Sequence, residues 1–257
     1  MPVALALSPH LDDAAFSCGG TLATLADAGW HVVMATIFTA SVPDPKGFAL
    51  ACQTDKGLAP EIDYMALRRD EDRRAAEALG IAEPVYLPFR EAPHRGYGSA
   101  PELFADARDD DAIVAPLAAA VARLVGEVSP DLVLAPQAVG GHVDHIQLVR
   151  AIGTLRWDAP ILWWRDFPYT VRSAAPKQPF REEFGALSET MVHYSARAEA
   201  RKGRACAAYE TQLGYQFGGV DGLMRRLAEE ARSERFRLAG MLPDAAATLF
   251  ADHAARS

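Results

Sequence analysis

Cysteine is scarce in this chain of 257 residues, and no motif pairs the three that occur. Cys18, Cys52 and Cys206 lie far apart and form no CxxC motif, so the sequence predicts neither a disulfide framework nor a thiolate zinc site. An odd number of isolated cysteines suits a reducing compartment. We therefore expect a cytoplasmic protein.

Positive charge and long apolar segments are also in short supply. The chain has 26 Lys and Arg against 34 Asp and Glu, a formal net charge of −8, so nucleic acid and anionic lipid are not expected partners. The longest apolar run, residues 112–122, contains Pro116 and is too short to cross a bilayer. No basic segment of a signal peptide opens the chain. The sequence predicts no transmembrane segment and does not indicate an oligomeric state.

What the sequence does contain is a regular alternation of apolar runs and helical segments. Strands are predicted at residues 3–7, 31–39, 84–89, 131–137 and 160–165, and helices at 15–28, 64–79, 112–128 and 145–155. Continuous apolar strands separated by helices are typical of a mainly parallel sheet covered on both faces. We predict a Rossmann-like α/β fold in a single domain over residues 1–257.

The core that carries the motifs is expected within about residues 3–170, and residues 171–257 are expected to pack on it. In this second part the sequence predicts a strand over 183–194 and a helix over 196–213. The segments 41–60 and 90–110 are rich in Pro, Gly and Asp, and each follows a predicted strand. Such loops lie at the ligand-binding edge of a parallel sheet, but their own roles are not evident from the sequence.

Two short motifs concentrate the polar chemistry: SPHLDD at residues 8–13 and GGHVDH at residues 140–145. Each begins just past a predicted strand and leads into a helix, so the fold would bring both to one crevice. His10, Asp13 and His145 offer two imidazoles and a carboxylate, which suit zinc and leave a fourth position for water, as in catalytic sites. Asp12 is then available as a general base, and His142 as a positive partner or proton donor to an oxyanion.

Each of these residues also has an ordinary structural interpretation. Asp12 or Asp13 alone would most often cap a helix, and an isolated histidine would most often lie at the surface or be satisfied by the protein. The functional interpretation depends on the two motifs supplying complementary ligands at equivalent edges of the sheet.

The same motifs resemble the signature of the PIG-L-like N-acetylglucosaminyl deacetylase superfamily, together with RRDE at residues 68–71 and the Ala and Gly positions that follow. The resemblance implies that His10, Asp13 and His145 hold zinc and that Asp12 is the base, although it does not separate Zn²⁺ from Fe²⁺. It implies that His142 stabilises the tetrahedral intermediate and that Asp144 orients His142 or an adjacent imidazole.

Substrate contacts are expected from the resemblance and from loop positions. Arg68 resembles a family arginine that reaches the substrate, and Glu91 stands near a sugar-binding Asp of relatives. His94 and Arg95, in the loop after residue 89, and Asp166, at a strand end, are further candidates. Four of these residues have a structural alternative: Arg68 a pairing with a carboxylate, His94 and Arg95 simple exposure, and Asp166 a place in a segment that only terminates the strand.

The predicted function is zinc-dependent removal of an N-acetyl or small N-acyl group from a GlcNAc-type sugar or glycoconjugate, a small-molecule substrate. One alternative is a Rossmann-type nucleotide-binding module, although no GxGxxG follows the first strand. The other is a catalytically inactive relative.

Overall fold

The computed structural model describes residues 1–254, which form one seven-stranded sheet flanked by helices. The strands are β1 Val3–Ser8, β2 His31–Thr36, β3 Val85–Tyr86, β4 Leu132–Pro136, β5 Ile161–Trp164, β6 Ser188–His193 and β7 Ser233–Ala239. The helices are α1 Asp13–Asp27, α2 Gly47–Thr54, α3 Tyr64–Leu79, α4 Ala100–Leu103, α5 Val114–Val128, α6 Val143–Gly153, α7 Tyr169–Arg172, α8 Arg181–Gly185, α9 Ala196–Ala207, α10 Glu210–Phe217, α11 Val220–Ala228 and α12 Asp244–Ala254, with a 3-10 turn at Ala92–Arg95.

The strand order is β3-β2-β1-β4-β5-β7-β6, and the first five strands are parallel. The chain runs outward from β1 to β3 on one side and from β4 to β5 on the other. Because the order reverses between β1 and β4, their carboxyl ends border the crevice at which sheets of this type bind ligands. The predicted mainly parallel α/β fold is confirmed, with β7 inserted between β5 and β6 and antiparallel to both.

Alternate side chains of the central strands enter two separate cores. Ala4 and Ala6 of β1 pack with α1, α3 and α9, whereas Leu5 and Leu7 pack with α5 and α6 on the other face. This is why the strands are apolar throughout: both faces are buried, and no position can face water.

Helix α1, which carries the first motif, is broken at Cys18, where the backbone leaves helical geometry. A break leaves the N–H groups just beyond it without acceptors inside the helix. Glu234 of β7 supplies the missing acceptors. Its carboxylate accepts hydrogen bonds from the backbone N–H groups of Gly20 at 2.9 Å and Thr21 at 2.8 Å. The buried ammonium of Lys202, 2.8 Å away, balances the charge. We call this arrangement the α1 clamp.

The C-terminal part differs in detail from the sequence prediction. The predicted strand over 183–194 is helix α8 followed by β6, and the predicted helix over 196–213 is divided into α9 and α10 at Tyr209. The strand predicted at 84–89 is reduced to β3 because Pro88 cannot donate to the ladder. Over residues 1–254, no helix combines the length and apolar character needed to cross a membrane.

Candidate metal centre

The two motif loops lie side by side at the point where the strand order reverses. SPHLDD joins β1 to α1, and GGHVDH joins β4 to α6. Since β1 and β4 are hydrogen-bonded neighbours, the loops share one crevice although they are about 130 residues apart in sequence.

One atom from each of three side chains converges in this crevice. Nδ1 of His10 lies 3.2 Å from Oδ2 of Asp13 and 3.3 Å from Nε2 of His145. Oδ2 of Asp13 and Nε2 of His145 are 3.1 Å apart. Ligands about 2.0–2.1 Å from a tetrahedral ion stand roughly 3.3–3.4 Å from one another. These atoms, hereafter the donor triangle, therefore fit the spacing that a tetrahedral metal requires.

Both imidazoles of the donor triangle are held by a carboxylate on their other nitrogen. Nε2 of His10 is 2.9 Å from Oδ2 of Asp144, and Nδ1 of His145 is 2.7 Å from Oδ1 of Asp166. Because an ionised carboxylate only accepts hydrogen bonds, the ring proton lies on the nitrogen that faces it. The remaining nitrogen of each ring faces the donor triangle, where it can bind a cation once it has lost its proton, as in metal sites with carboxylate-supported histidines.

His142 lies beside the donor triangle in a different tautomer. One nitrogen from each of His10, His142 and His145 lies within 4.8 Å of the other two, which makes a second candidate ligand set. However, Nδ1 of His142 caps α6 by accepting the backbone N–H of Asp144 at 3.2 Å. The proton of the neutral ring must then lie on Nε2, so that atom is a hydrogen-bond donor and not a ligand. The tighter set that contains Asp13 is the better fit.

The charge on His142 also differs from the sequence-based expectation. Burial, with the neighbouring His10, lowers the pKa of His142 to about 3. The ring is therefore neutral near pH 7, and it offers the N–H of Nε2 rather than a positive charge to a group in the crevice.

Within the metal-free donor triangle, opposite charges are closely paired. Burial alone would raise the pKa of the Asp13 carboxyl, but His145 and His10 hold it well below its usual range. Burial alone would lower the pKa of His145, but Asp13 and Asp166 outweigh it and raise that pKa to about 9. A cation that binds here must therefore displace a proton from His145 near neutral pH.

Asp12 lies next to the donor triangle but outside it. Its buried carboxylate is 3.7 Å from the guanidinium of Arg68 and accepts a hydrogen bond from Nε2 of Gln216 at 3.0 Å. Burial, reinforced by the charge of Asp13, raises the pKa of Asp12 to about 7. A carboxyl group with this pKa can take up and return a proton near neutral pH.

The structure places Asp166, a predicted substrate contact, against the imidazole of His145. This residue is 1% exposed, and its second oxygen, Oδ2, accepts the backbone N–H of Val139 at 2.8 Å. With Oδ1 held by His145, both carboxylate oxygens are used within the protein. Asp166 therefore supports an imidazole and has no free oxygen for a substrate.

Arg95 is likewise committed to the protein and not to the cavity. It donates to Oδ1 of Asp144 at 2.7 Å and to the two carboxylate oxygens of Asp111 at 3.1 and 2.8 Å. Asp144 in turn lies 2.9 Å from Nε2 of His10 but 4.0 Å from Nδ1 of His142. Of the two partners that the sequence left open for Asp144, the structure selects His10.

A cavity of about 340 Å³ opens from the crevice, and Arg68 and Glu91 line it. Nη1 of Arg68 donates to Oε1 of Glu91 at 2.6 Å, while Nε of Arg68 is buried without a hydrogen-bond partner in the described residues. His94 instead lines a smaller, separate cavity behind Glu91, so the structure does not bring it to the site. The outer wall of the main cavity is largely aromatic and apolar, formed by Phe48, Leu103, Phe104, Tyr169 and Tyr215.

Close packing fixes one part of that wall. Gly140 has φ +98°, and a Cβ atom there would lie 2.4 Å from Cγ of Tyr169. The ring of Tyr169 also packs edge-on against His145, with centroids 6.0 Å apart. Only glycine at position 140 lets this ring approach the second motif.

Two residues of the site carry no motif that could have identified them. Gln216 contacts Asp12 across 204 positions of sequence, and Asp111, which anchors Arg95, belongs to a run of three aspartates. A glutamine on an amphipathic helix and an acid in a charged loop are ordinary surface features, so only the topology reveals their roles.

The glycines of the first motif region serve packing and not nucleotide binding. A Cβ atom on Gly20 would lie 2.5 Å from the ring of Tyr194, and one on Gly19 would lie 3.2 Å from the side chain of Lys202. Both glycines lie inside α1, away from the helix N-terminus where a phosphate would bind. The geometry gives no support to a nucleotide-binding module.

Comparisons with known proteins find similar chains by sequence and by structure. Residues 5–155 match the family model PIG-L, described as GlcNAc-PI de-N-acetylase. The chain is 34% identical to 2'-N-acetylparomamine deacetylase of Streptomyces fradiae, over 81% of the chain and 72% of that protein. It is 31% identical to 1D-myo-inositol 2-acetamido-2-deoxy-alpha-D-glucopyranoside deacetylase of Rhodococcus erythropolis, over 81% of the chain and 80% of the relative.

A solved structure, the zinc inhibited form of teicoplanin deacetylase Orf2, superposes with a TM-score of 0.76 at 26% identity, covering 92% of this chain and 98% of the other.

Proposed function

The chain belongs to the PIG-L family and is a deacetylase, and we propose that it hydrolyses the 2-acetamido group of a GlcNAc-type sugar in a small glycoside or glycoconjugate. In this proposal, His10, Asp13 and His145 hold a metal ion at the site. The observation that carries the proposal is the donor triangle, in which carboxylates on the far nitrogens of both imidazoles hold Nδ1 of His10 and Nε2 of His145 next to the oxygen of Asp13.

We assign the ion as Zn²⁺, because two imidazoles and one carboxylate at tetrahedral spacing are a donor set that zinc prefers. A zinc ion in this site would polarise the amide carbonyl and lower the pKa of water, which is the chemistry that amide hydrolysis needs. The superposed teicoplanin deacetylase is described as a zinc inhibited form, so the test must vary the ion and its concentration and include Fe²⁺.

Asp12 is proposed as the general base. Its carboxylate borders the donor triangle without belonging to it, and its pKa of about 7 matches the pH at which a proton must be accepted. Asp12 takes a proton from the attacking water and then returns it to the nitrogen of the departing amine. His142 is a poor acid for that second step, since its ring is already neutral.

His142 is proposed to stabilise the oxyanion. Its Nε2 proton is fixed by the hydrogen bond at Nδ1, so the donor is in place before charge develops on the carbonyl oxygen. Asp144 is proposed as a positioning residue for His10, and Asp166 for His145.

Arg68 and Glu91 are proposed to bind the hydroxyl groups of the sugar. Both line the cavity next to Asp12, and the unpartnered Nε of Arg68 is a buried donor that a ligand oxygen would satisfy. The curated relatives named above act on 2'-N-acetylparomamine and on an inositol glycoside, and both of these carry an acetamido sugar. A cytoplasmic location and a single folding domain over residues 1–257 remain predictions.

The test is an amine-release screen on the purified protein with GlcNAc, 2'-N-acetylparomamine and the N-acetylglucosaminyl inositol glycoside. We expect release of a primary amine and acetate from at least one, loss of release with a chelator, and recovery when substoichiometric Zn²⁺ or Fe²⁺ is added. Asp12→Asn is the matched control, because it keeps the donor triangle and removes the base. Absence of release from every compound, with about one metal ion bound per chain, would favour an inactive relative.

A further inference from the structure

Gln216 reaches the site from a part of the chain outside the family match. It lies in the last turn of α10, and its Nε2 donates to Oδ2 of Asp12 at 3.0 Å. Arg172 holds the main chain at the same point by donating to the carbonyl oxygen of Gln216 at 2.9 Å. The side chain lines the main cavity beside Asp12.

The orientation of this amide is determined by its partner. Nε2 of Gln216 donates to Oδ2 of Asp12, so the NH₂ end of the amide faces Asp12 and the carbonyl oxygen Oε1 does not. Oε1 is buried and has no hydrogen-bond partner among the described residues. A buried acceptor without a donor is unfavourable, and a ligand N–H or O–H would relieve it.

The position of Oε1 limits which ligand group can supply that donor. Because Nε2 and Oε1 belong to one amide, Oε1 lies close to Asp12, the residue proposed above as the base at the reacting bond. An N-acetyl group has one donor at that bond, the N–H of the amide, whereas an O-acetyl ester has none. Resting on the function proposed above, we propose that Oε1 of Gln216 accepts the N–H of the scissile acetamido group and selects N-acyl over O-acyl substrates.

The contact also has a consequence after hydrolysis. When the C–N bond breaks and the nitrogen takes a proton, the product amine still carries N–H donors, so Gln216 keeps its hydrogen bond to the product. An alcohol from an ester would have a single O–H, which can turn to other acceptors in the cavity. The preference for N-acyl over O-acyl compounds should therefore appear in binding as well as in turnover.

The test compares the wild type with Gln216→Met, which keeps the length of the side chain and removes both polar atoms. The probes are 4-nitrophenyl 2-acetamido-2-deoxyglucopyranoside and the corresponding 2-O-acetyl glucopyranoside. Loss of the hydrogen bond to Asp12 affects both probes, but loss of Oε1 affects only the amide. We expect the ratio of kcat/KM for amide over ester to fall about tenfold or more.

Gln212→Met is the matched control, since Gln212 lies on the same helix and lines the same cavity, but its Nε2 donates to Tyr64 at 2.8 Å. We expect its amide-to-ester ratio to stay within about twofold of the wild type. Metal content and thermal unfolding of each variant identify any loss of folding.

Calorimetric binding of the two probes separates the possible failures. Hydrolysis with an unchanged ratio in Gln216→Met overturns the contact and leaves the proposed function standing. Absence of hydrolysis in the wild type, with a binding preference for the amide that Gln216→Met abolishes, supports the contact and overturns the function. If the wild type shows no preference in either measurement, both are wrong.

Discussion

Replacing Asp166 by Asn tests the claim that this carboxylate prepares His145 to bind a metal. Asp166 holds Nδ1 of His145 at 2.7 Å and the backbone N–H of Val139 at 2.8 Å. The amide of Asn has only one oxygen, so one of these two donors would face an NH₂ group. The variant replaces a charge-assisted hydrogen bond by a neutral one and leaves a buried donor unpaired.

The expected loss of zinc affinity is about 10–100-fold, the range seen for partners of metal-bound histidines, which corresponds to roughly 1.4–2.8 kcal/mol. The measurement is competition for Zn²⁺ with a chromophoric chelator. Asp131→Asn is the control, because that carboxylate binds the backbone N–H of Val3 far from the crevice. The affinity of the Asp131→Asn variant for Zn²⁺ should stay at the wild-type value.

The pH dependence makes the prediction sharper. The pKa of His145 in the metal-free protein is raised to about 9, so its protonation stabilises that protein fully below pH 6.5 and the contribution is lost as the pH rises through 9. Burial would lower the pKa of His10, but Asp13 and Asp144 raise it well above its usual value. Zinc competes with the protons of both imidazoles, so the zinc affinity should rise as the pH increases above neutral.

Asp166→Asn lowers the pKa of His145 and weakens the competition, so the affinity curves of variant and wild type should converge as the pH falls. An affinity within twofold of wild type at pH 8.5, or a deficit that does not change with pH, would refute the reasoning.

The remaining predictions concern the other groups of the site and the α1 clamp. Asp12→Asn should keep zinc, measured by metal analysis, and lower kcat by about 10²–10⁴-fold. His142→Ala should keep zinc and lower kcat by about 10²–10³-fold, whereas His145→Ala should lose the metal; equal zinc loss in both would mean that His142 is a ligand. Lys202→Ala should lower the free energy of unfolding in urea by about 3–5 kcal/mol, because it leaves a buried glutamate unpaired. Arg73→Ala, which removes an exposed ion pair, should cost less than about 0.5 kcal/mol, and similar losses for both would contradict the argument.

The central sheet could be predicted from the sequence because each of its strands is apolar on both faces. Strand β7 was not predicted, and Glu234 is the reason. Along β7 the inward positions are Glu234 and Phe236, with exposed Arg235 between them. A buried acid at an inward position masks the alternation that would reveal a strand, and its pairing with Lys202 is visible only in three dimensions.

Only part of the candidate site could be predicted from the sequence, for a similar reason. The motifs predict which residues converge, because they follow neighbouring strands of one sheet. They do not show which nitrogen of each imidazole is free, since that depends on Asp144 and Asp166, whose partners are set by side-chain packing. Arg95 illustrates the limit: an arginine in a loop next to a site suggests a substrate contact, yet Asp111 turns it into a support for Asp144.

The α1 clamp has a consequence for chimeras made between this chain and its relatives. The segment matched by the family model, residues 5–155, contains Gly20 and Thr21, whereas Lys202 and Glu234 lie beyond it. If the segment taken from a relative has an unbroken first helix, its backbone N–H groups are already bonded within that helix. The carboxylate of the native Glu234 would then have no N–H groups to accept. Segment exchange at the family boundary therefore succeeds only when the incoming helix is interrupted at the same turn, or when residues 196–239 are exchanged with it.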